Sequence, residues 1–329
     1  LQMRDYLLVH GPPGTGKTSV IAEIVKRLCQ RGQRVLLAGF TNQAVDNMLL
    51  RLEREGFHDY IRLGHERSVD EAVRPHLLQF LSAPQTPGGA PLASVEIREL
   101  LRRSPVVAST TATWSSDKYA PCPPDAQPGS EDALLQFDVA LIDEAGQLTI
   151  PAILGALRFA RRFILVGDEK QLPPLVLNKE AGMQGLAVSL FSQLKQLDEE
   201  ESLHRADKSL ARDLSRPLGD EVLREGEQVG SACVALRVQY RMHETISQFA
   251  SQTFYSNQLR AHYAVAKRRL NLVPPLPGSI SERGAILQSL RVDLPMVFLD
   301  VRGERGEAQR AEVKLSNAEA RTCLLYTSP

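Results

Sequence analysis

Residues 11–18 read GPPGTGKT, and no other stretch limits the fold of this chain as much. Spaced glycines followed by a lysine and a hydroxyl residue form the P-loop pattern. Its chemistry demands a particular setting. The glycines let backbone N–H groups turn inward around phosphate oxygens. A helix opening directly after the loop adds about half a positive charge at the same point. The sequence supplies that setting. Residues 6–10, YLLVH, predict a buried strand, and residues 17–29 place Val20, Ile21, Ile24, Val25 and Leu28 on one helical face. Gly32 just beyond is the expected helix stop. The predicted nucleotide-binding residues are Gly11, Pro12, Pro13, Gly14, Thr15, Gly16, Lys17 and Thr18. Lys17 is expected to reach the β and γ phosphates of ATP, and Thr18 to offer its hydroxyl to Mg2+. A glycine-rich turn without a ligand is the plainer alternative, and the flanking strand and helix argue against it.

A P-loop of this kind needs a parallel sheet to sit on, and the apolar pattern provides one. Short runs rich in Val, Leu and Ile at 6–10, 35–40, 106–109, 137–143 and 162–167 alternate with helical stretches. That pattern predicts an α/β fold with strands covered on both faces. Residues 42–54 read as a second helix with Val45, Leu49 and Leu52 inward. Stretches rich in Pro, Gly and Ser interrupt the order near 82–104 and 121–133, and both are expected to be surface insertions. Residues 196–230 are highly charged and read as a solvated linker or insertion. The expected organisation is a first nucleotide-binding unit over 1–195, the linker over 196–230, and the beginning of a second unit over 231–329. Within the last, 295–301 reads as a strand and 317–321 as the start of a helix; the sequence then ends at CLLYTSP, which predicts a truncated unit.

Three further motifs follow predicted strands. Asp143 and Glu144 end the apolar run at 137–142. Carboxylates at the C-terminal end of such a strand lie beside the phosphate site. Asp143 is predicted to hold Mg2+ and Glu144 to polarise the attacking water; the alternative is a pair of solvated carboxylates before a helix. Residues 167–174 read GDEKQLPP, where the Gln171 amide can bond both a γ-phosphate and a water. Residues 239–243 read QYRMH, where Arg241 is the candidate arginine finger and Tyr240 a candidate stacking surface for adenine.

Taken in order, the P-loop, DEAGQ, LVGDEKQLPP and VQYRMH resemble the superfamily-one helicases. AAA+ proteins share the first two elements but are not expected to show the last two. Within the superfamily the chain resembles the 5′-to-3′ branch, and RRFILVGDEKQLPPLVLNKEA with SLFSQL and VQYRMH is most similar to the DNA replication helicase/nuclease family. The resemblance covers roughly 5–80, 105–195 and 233–321. It implies a RecA-like P-loop fold followed by the start of a second RecA-like domain, with ATP clamped between the two. Residues 40–49, FTNQAVDNML, look like the first nucleic-acid motif of that family, and 107–113, VASTTAT, like the next. Thr41, Asn42 and Thr110 are then the implied backbone contacts to a single strand, DNA favoured over RNA. Helix capping is the competing reading of these residues. Gly146 departs from the family, which more often has Ser or Ala there. No nuclease constellation, iron–sulfur cysteine cluster or second arginine-finger motif is seen in the sequence.

Composition narrows the rest. With 39 basic and 39 acidic residues in 329, net charge is zero, so nucleic-acid contact has to be local rather than a whole-surface field. Four cysteines without a CxxC pair predict reduced thiols in an intracellular setting. No run of 18 apolar residues predicts a membrane span. The family resemblance adds a nuclear location and replication or repair partners. Two rival readings stay open: a P-loop ATPase that remodels protein complexes, and a truncated nucleotide-binding module without turnover.

Overall fold

The computed structural model describes residues 5–84, 90–116, 135–213 and 231–268. Seven strands form one wholly parallel sheet: β1 (Tyr6–His10), β2 (Val35–Gly39), β3 (Ile61–Arg62), β4 (Val106–Thr110), β5 (Phe137–Ile142), β6 (Ala160–Gly167) and β7 (Cys233–Ala235). Their order across the sheet is β3-β4-β2-β5-β6-β1-β7. β8 (Val238–Gln239) and β9 (Arg260–Ala261) pair separately, also in parallel. The helices are α1 (Lys17–Gln30), α2 (Asn42–Arg54), α3 (Leu78–Leu81), α4 (Ser94–Arg103), α5 (Thr111–Trp114), α6 (Ile150–Leu157), α7 (Lys179–Ala181), α8 (Leu190–Asp213), α9 (Glu244–Phe254) and α10 (Tyr263–Ala266). No helix among the described residues is long and apolar enough to cross a membrane.

The central strands are mainly apolar because both faces are covered. Successive side chains of a strand point to opposite faces. Val35 and Leu37 of β2 therefore join one core with Val9, Val139, Leu141, Ile164 and Val166. Ile21, Ile24, Val25 and Leu28 of α1 and Val45, Leu49 and Leu52 of α2 cover that face. Leu36 and Ala38 point the other way, into a second core with Leu8, Val107, Ala140, Ile142 and Leu165. Trp114, Ile153 and Phe191 close it from α5, α6 and α8. The expected helix stop holds: Gly32 has φ 72° and its N–H bonds the carbonyl of Cys29.

Several elements lie across the expected bounds. Residues 94–103, inside the stretch read as an insertion, form α4, whose Leu101 is buried. α8 passes through residue 195, because Phe191 and Leu194 continue the core contact made at its start. β7 attaches 233–235 to β1, with Leu8 N–H bonding Ala232 O at 2.8 Å and Leu236 N–H bonding His10 O at 2.8 Å. That pairing satisfies backbone groups of β1 that an edge strand would leave open. The stretches at 121–133, 295–301 and 317–321 lie outside the described residues.

Candidate active site and strand-binding edge

Every predicted site residue of the first unit follows the C-terminal end of a sheet strand. The P-loop follows β1, the Asp143–Glu144 pair β5 and Gln171 β6; Thr41 follows β2, and Thr110 ends β4. In a parallel sheet with helices on both faces, ligands bind along this edge. Strand order divides it in two. β5, β6 and β1 are adjacent and carry the nucleotide candidates, while β2 and β4 beside them carry the nucleic-acid candidates.

The loop at 11–18 is shaped by two left-handed glycines, Gly14 at φ 77° and Gly16 at φ 82°. Residues with a Cβ rarely adopt this conformation, so glycine is required for the chain to curl before α1. Gly16 is the N-cap of α1, Lys17 its first residue and Thr18 its second. Gly11 N–H bonds Gly167 O at 2.9 Å, which fastens the loop to β6. Pro12 O accepts from the Thr15 hydroxyl at 2.7 Å, and Pro13 lies inside that turn. Lys17 Nζ sits 3.3 Å from Gly11 O and 3.4 Å from Glu144 Oε1.

Asp143 is buried and accepts the Glu144 N–H at 2.8 Å. Burial, with the Glu144 charge adding to it, pushes its carboxyl up to about 6, against the pull of that hydrogen bond and of Lys17. Lys17 balances only part of the charge of two carboxylates so placed, and a hard divalent cation would supply the rest; oxygen donors at Asp143 and Thr18 suit Mg2+. Glu144 itself has φ 52°, a left-handed non-glycine residue. Strain of this kind, about 1–3 kcal/mol, concentrates at functional sites. It turns the Glu144 side chain toward Lys17 rather than along the following short helix over Ala145–Gln147.

Gly146 acquires a physical reason here. A Cβ at Gly146 would lie 2.7 Å from Asp168 O, and one at Gly167 would lie 2.8 Å from Gly146 N. The backbones after β5 and β6 touch at paired glycines, which brings the two carboxylate-bearing segments together.

Asp168 is 2% exposed and collects four donors. Its Oδ2 accepts from Gln171 Nε2 at 2.8 Å and from the Tyr255 hydroxyl at 2.7 Å. Its Oδ1 accepts from Lys170 N–H at 2.9 Å, with His10 Nε2 at 3.3 Å. Burial pushes this carboxyl up, but the hydrogen bonds outweigh burial and hold it at about 2. Gln171 is thereby oriented by Asp168.

The QYRMH turn closes over the P-loop. Tyr240 N–H bonds Gly14 O at 2.8 Å, and a Cβ on Gly14 would lie 2.7 Å from Arg241 Cβ. Buried Gln239 builds the turn, its Oε1 accepting from Arg241 N–H at 2.8 Å and Met242 N–H at 2.7 Å. Tyr240 is half-exposed with its ring 4.6 Å from that of His262. Among the described residues the exposed Arg241 guanidinium has no hydrogen-bond or ion-pair partner.

On the neighbouring half, capping and candidate binding coincide. The Thr41 hydroxyl caps α2, accepting Ala44 N–H at 3.1 Å, and the Thr110 hydroxyl caps α5, accepting Thr113 N–H at 3.3 Å. The Thr41 capping oxygen still has its own hydrogen to donate, while Thr110 Oγ1 also lies 3.0 Å from Thr113 Oγ1. Asn42 Oδ1 accepts from Arg62 Nη2 at 2.9 Å. A guanidinium only donates, so the Asn42 carbonyl faces Arg62 and its NH2 is left to donate elsewhere. Arg62 is fully buried, paired with Asp46 at 2.9 Å, and Asp46 also accepts Asp70 N–H.

Arg62, His10 and Tyr255 were not singled out from sequence. Arg62 is one charge within an apolar stretch, and its partner Asp46 lies 16 positions away. His10 and Tyr255 meet Asp168 across 158 and 87 positions, so no local pattern announces them. Asp168 and Gln239, in contrast, stand inside quoted motifs.

Comparison with known proteins extends the picture. A family model described as an AAA domain matches residues 1–86 and 92–179, and a second of the same description matches 216–328. The DNA replication ATP-dependent helicase/nuclease JHS1 of Arabidopsis thaliana is 40% identical over 200 residues, covering 60% of this chain and 13% of its own length. The DNA replication ATP-dependent helicase/nuclease DNA2 of Homo sapiens is 34% identical over 259 residues, covering 79% of this chain and 20% of its own. The chain thus spans a fifth or less of the length of these relatives. A solved helicase structure from PRRSV is similar at TM-score 0.35 and 17% identity, over 78% of this chain and 35% of that one.

Proposed function

This chain belongs to the AAA-domain family, as the helicase part of a superfamily-one protein, and on that premise we propose that it is the ATP-hydrolysing core of a translocase on single-stranded nucleic acid, DNA favoured. The single observation that carries the reading is the convergence on Gly14 and Lys17. Glu144 approaches Lys17 from β5, and the QYRMH turn bonds Gly14 from beyond residue 231. A γ-phosphate held by Lys17 would then have Glu144 on one side and Arg241 on another. The names of the relatives favour DNA and a place in DNA replication, which would set the protein in the nucleus beside replication partners.

The residues divide the work by their chemistry. The left-handed P-loop turns backbone N–H groups toward phosphate, and Lys17 adds a mobile positive charge. Thr18 and Asp143 would hold Mg2+, which neutralises phosphate charge. Glu144 polarises the attacking water as a general base. Gln171, steered by Asp168, reports the γ-phosphate, and Arg241 neutralises charge that develops during transfer. Tyr240 offers a flat face to adenine. The residues over 231–329, whose β7 is held on the first sheet, would begin a second RecA-like unit whose opening and closing moves the strand held at Thr41, Asn42 and Thr110.

The test is Glu144→Gln in the full-length protein that contains this chain, with oligo(dT) as the strand. The expected result is a loss of about 10²–10⁴-fold in strand-stimulated turnover with ATP affinity retained. Turnover near wild type would defeat the assigned role and the reading with it. Turnover that oligo(dT) does not stimulate, with single-strand binding unaltered by Thr41→Ala and Asn42→Ala, would favour the rival ATPase class.

A further inference from the structure

Asp168 ties together segments that the chemistry of the site keeps separate. One oxygen, Oδ2, accepts both the Gln171 amide at 2.8 Å and the Tyr255 hydroxyl at 2.7 Å. The other faces His10 Nε2 at 3.3 Å, and His10 directly precedes the P-loop. Tyr255 comes from the segment after α9, outside the sheet that carries the other three, and is 9% exposed. Its ring also lies 6.0 Å from that of His10.

Each partner is fixed in role by chemistry. A buried phenol whose ionisation is pushed up by desolvation and by the adjacent Asp168 stays a donor. A carboxylate holding four donors, Gln171 among them, is fixed against rotation. The geometric grouping of His10, Asp168 and Glu169 could be taken for a metal site. Its carboxylates already hold donors: Lys195 sits on Glu169, and Tyr255, Gln171 and Lys170 N–H occupy Asp168.

We propose that Tyr255 is a positioning residue for Gln171: by sharing one oxygen of Asp168 with the Gln171 amide, it makes γ-phosphate sensing depend on the docked position of the segment that follows β7, over 236–268. The inference rests on the function assigned above and deepens it. Gln171 is held in a sensing orientation only while Tyr255 is seated on Asp168. Withdrawal of that segment removes one of the donors that fix the Asp168 carboxylate, so the carboxylate can rotate and carry the Gln171 amide with it. A change in nucleotide state and a change in docking are therefore the same event read at two ends of one carboxylate.

The test uses the full-length protein with ATP and oligo(dT). Tyr255→Phe keeps the ring and removes only the hydroxyl. The expected result is a fall of about tenfold in strand-stimulated kcat, with KM for ATP and the affinity for ADP within about twofold of wild type. In combination with Gln171→Ala the losses do not multiply, because both substitutions break one unit. Unchanged kcat in Tyr255→Phe would overturn the proposal. So would losses that multiply in the double variant, or a parallel fall in nucleotide affinity, which marks a packing role. Glu144→Gln in the same assay separates the two levels: if it turns over normally, the assigned function fails, whereas a dead Glu144→Gln beside a normal Tyr255→Phe removes this inference alone.

Discussion

The two halves of the sheet edge are built on different physics. At β5, β6 and β1, backbone does most of the positioning: Gly14 and Gly16 in left-handed conformations, and Gly146 against Gly167 where no Cβ fits. Charged groups there are crowded, and burial drives Asp143 up while donors drive Asp168 down. At β2 and β4, side chains do the positioning instead. Hydroxyl caps open α2 and α5, and one buried arginine sets the orientation of Asn42. A phosphate loop must present N–H groups at fixed points, so it is specified by glycine. A surface that follows a flexible strand needs donors without sequence readout, so it is served by short polar side chains.

The largest expected effect that tests this contrast is at Arg62. Arg62→Met leaves Asp46 buried without its counter-charge and costs about 3–5 kcal/mol of stability. Denaturant midpoints measure it, and a loss under about 1 kcal/mol would show that the second half is not organised by this pair. Next is Asp168. Its folded value of about 2 lies below the ordinary aspartate value of 3.8, so its stabilisation is present above pH 4 and disappears as pH falls toward 2. The wild type should lose about 2 kcal/mol across that window through this group, and Asp168→Asn should flatten that limb. An unchanged acid limb would break the claim that donors crowd this carboxylate. The smallest effect is at Thr41. Thr41→Ala removes a cap worth about 1 kcal/mol and should weaken oligo(dT) binding while leaving nucleotide affinity alone. Retained strand affinity would reduce Thr41 to a cap.

What could be read from sequence followed the same divide. β1 and α2 have the bounds that the apolar pattern predicts, 6–10 and 42–54, because a compact apolar run before a glycine-rich loop and a long periodic helix each carry their own signal. β3 and β7 are two and three residues long, too short to show any period, and exist only through their neighbours β4 and β1. α4 was hidden by the Pro- and Gly-rich residues before it. The glycine-built half announced itself as GPPGTGKT and GDEKQ, since backbone geometry dictates residue type locally. The contacts of Arg62, His10 and Tyr255 depend on partners far along the chain, so their roles became visible only once the sheet had brought strand ends together.

The account stands on two adjacent half-sites that act as one device. The direct measurement is oligo(dT) stimulation of ATP turnover in full-length protein carrying Asn42→Ala, alongside nucleotide affinity in the same preparation. The account predicts that stimulation falls about tenfold or more while nucleotide affinity stays within about twofold of wild type. Stimulation at the wild-type level, with unaltered oligo(dT) affinity, would contradict it.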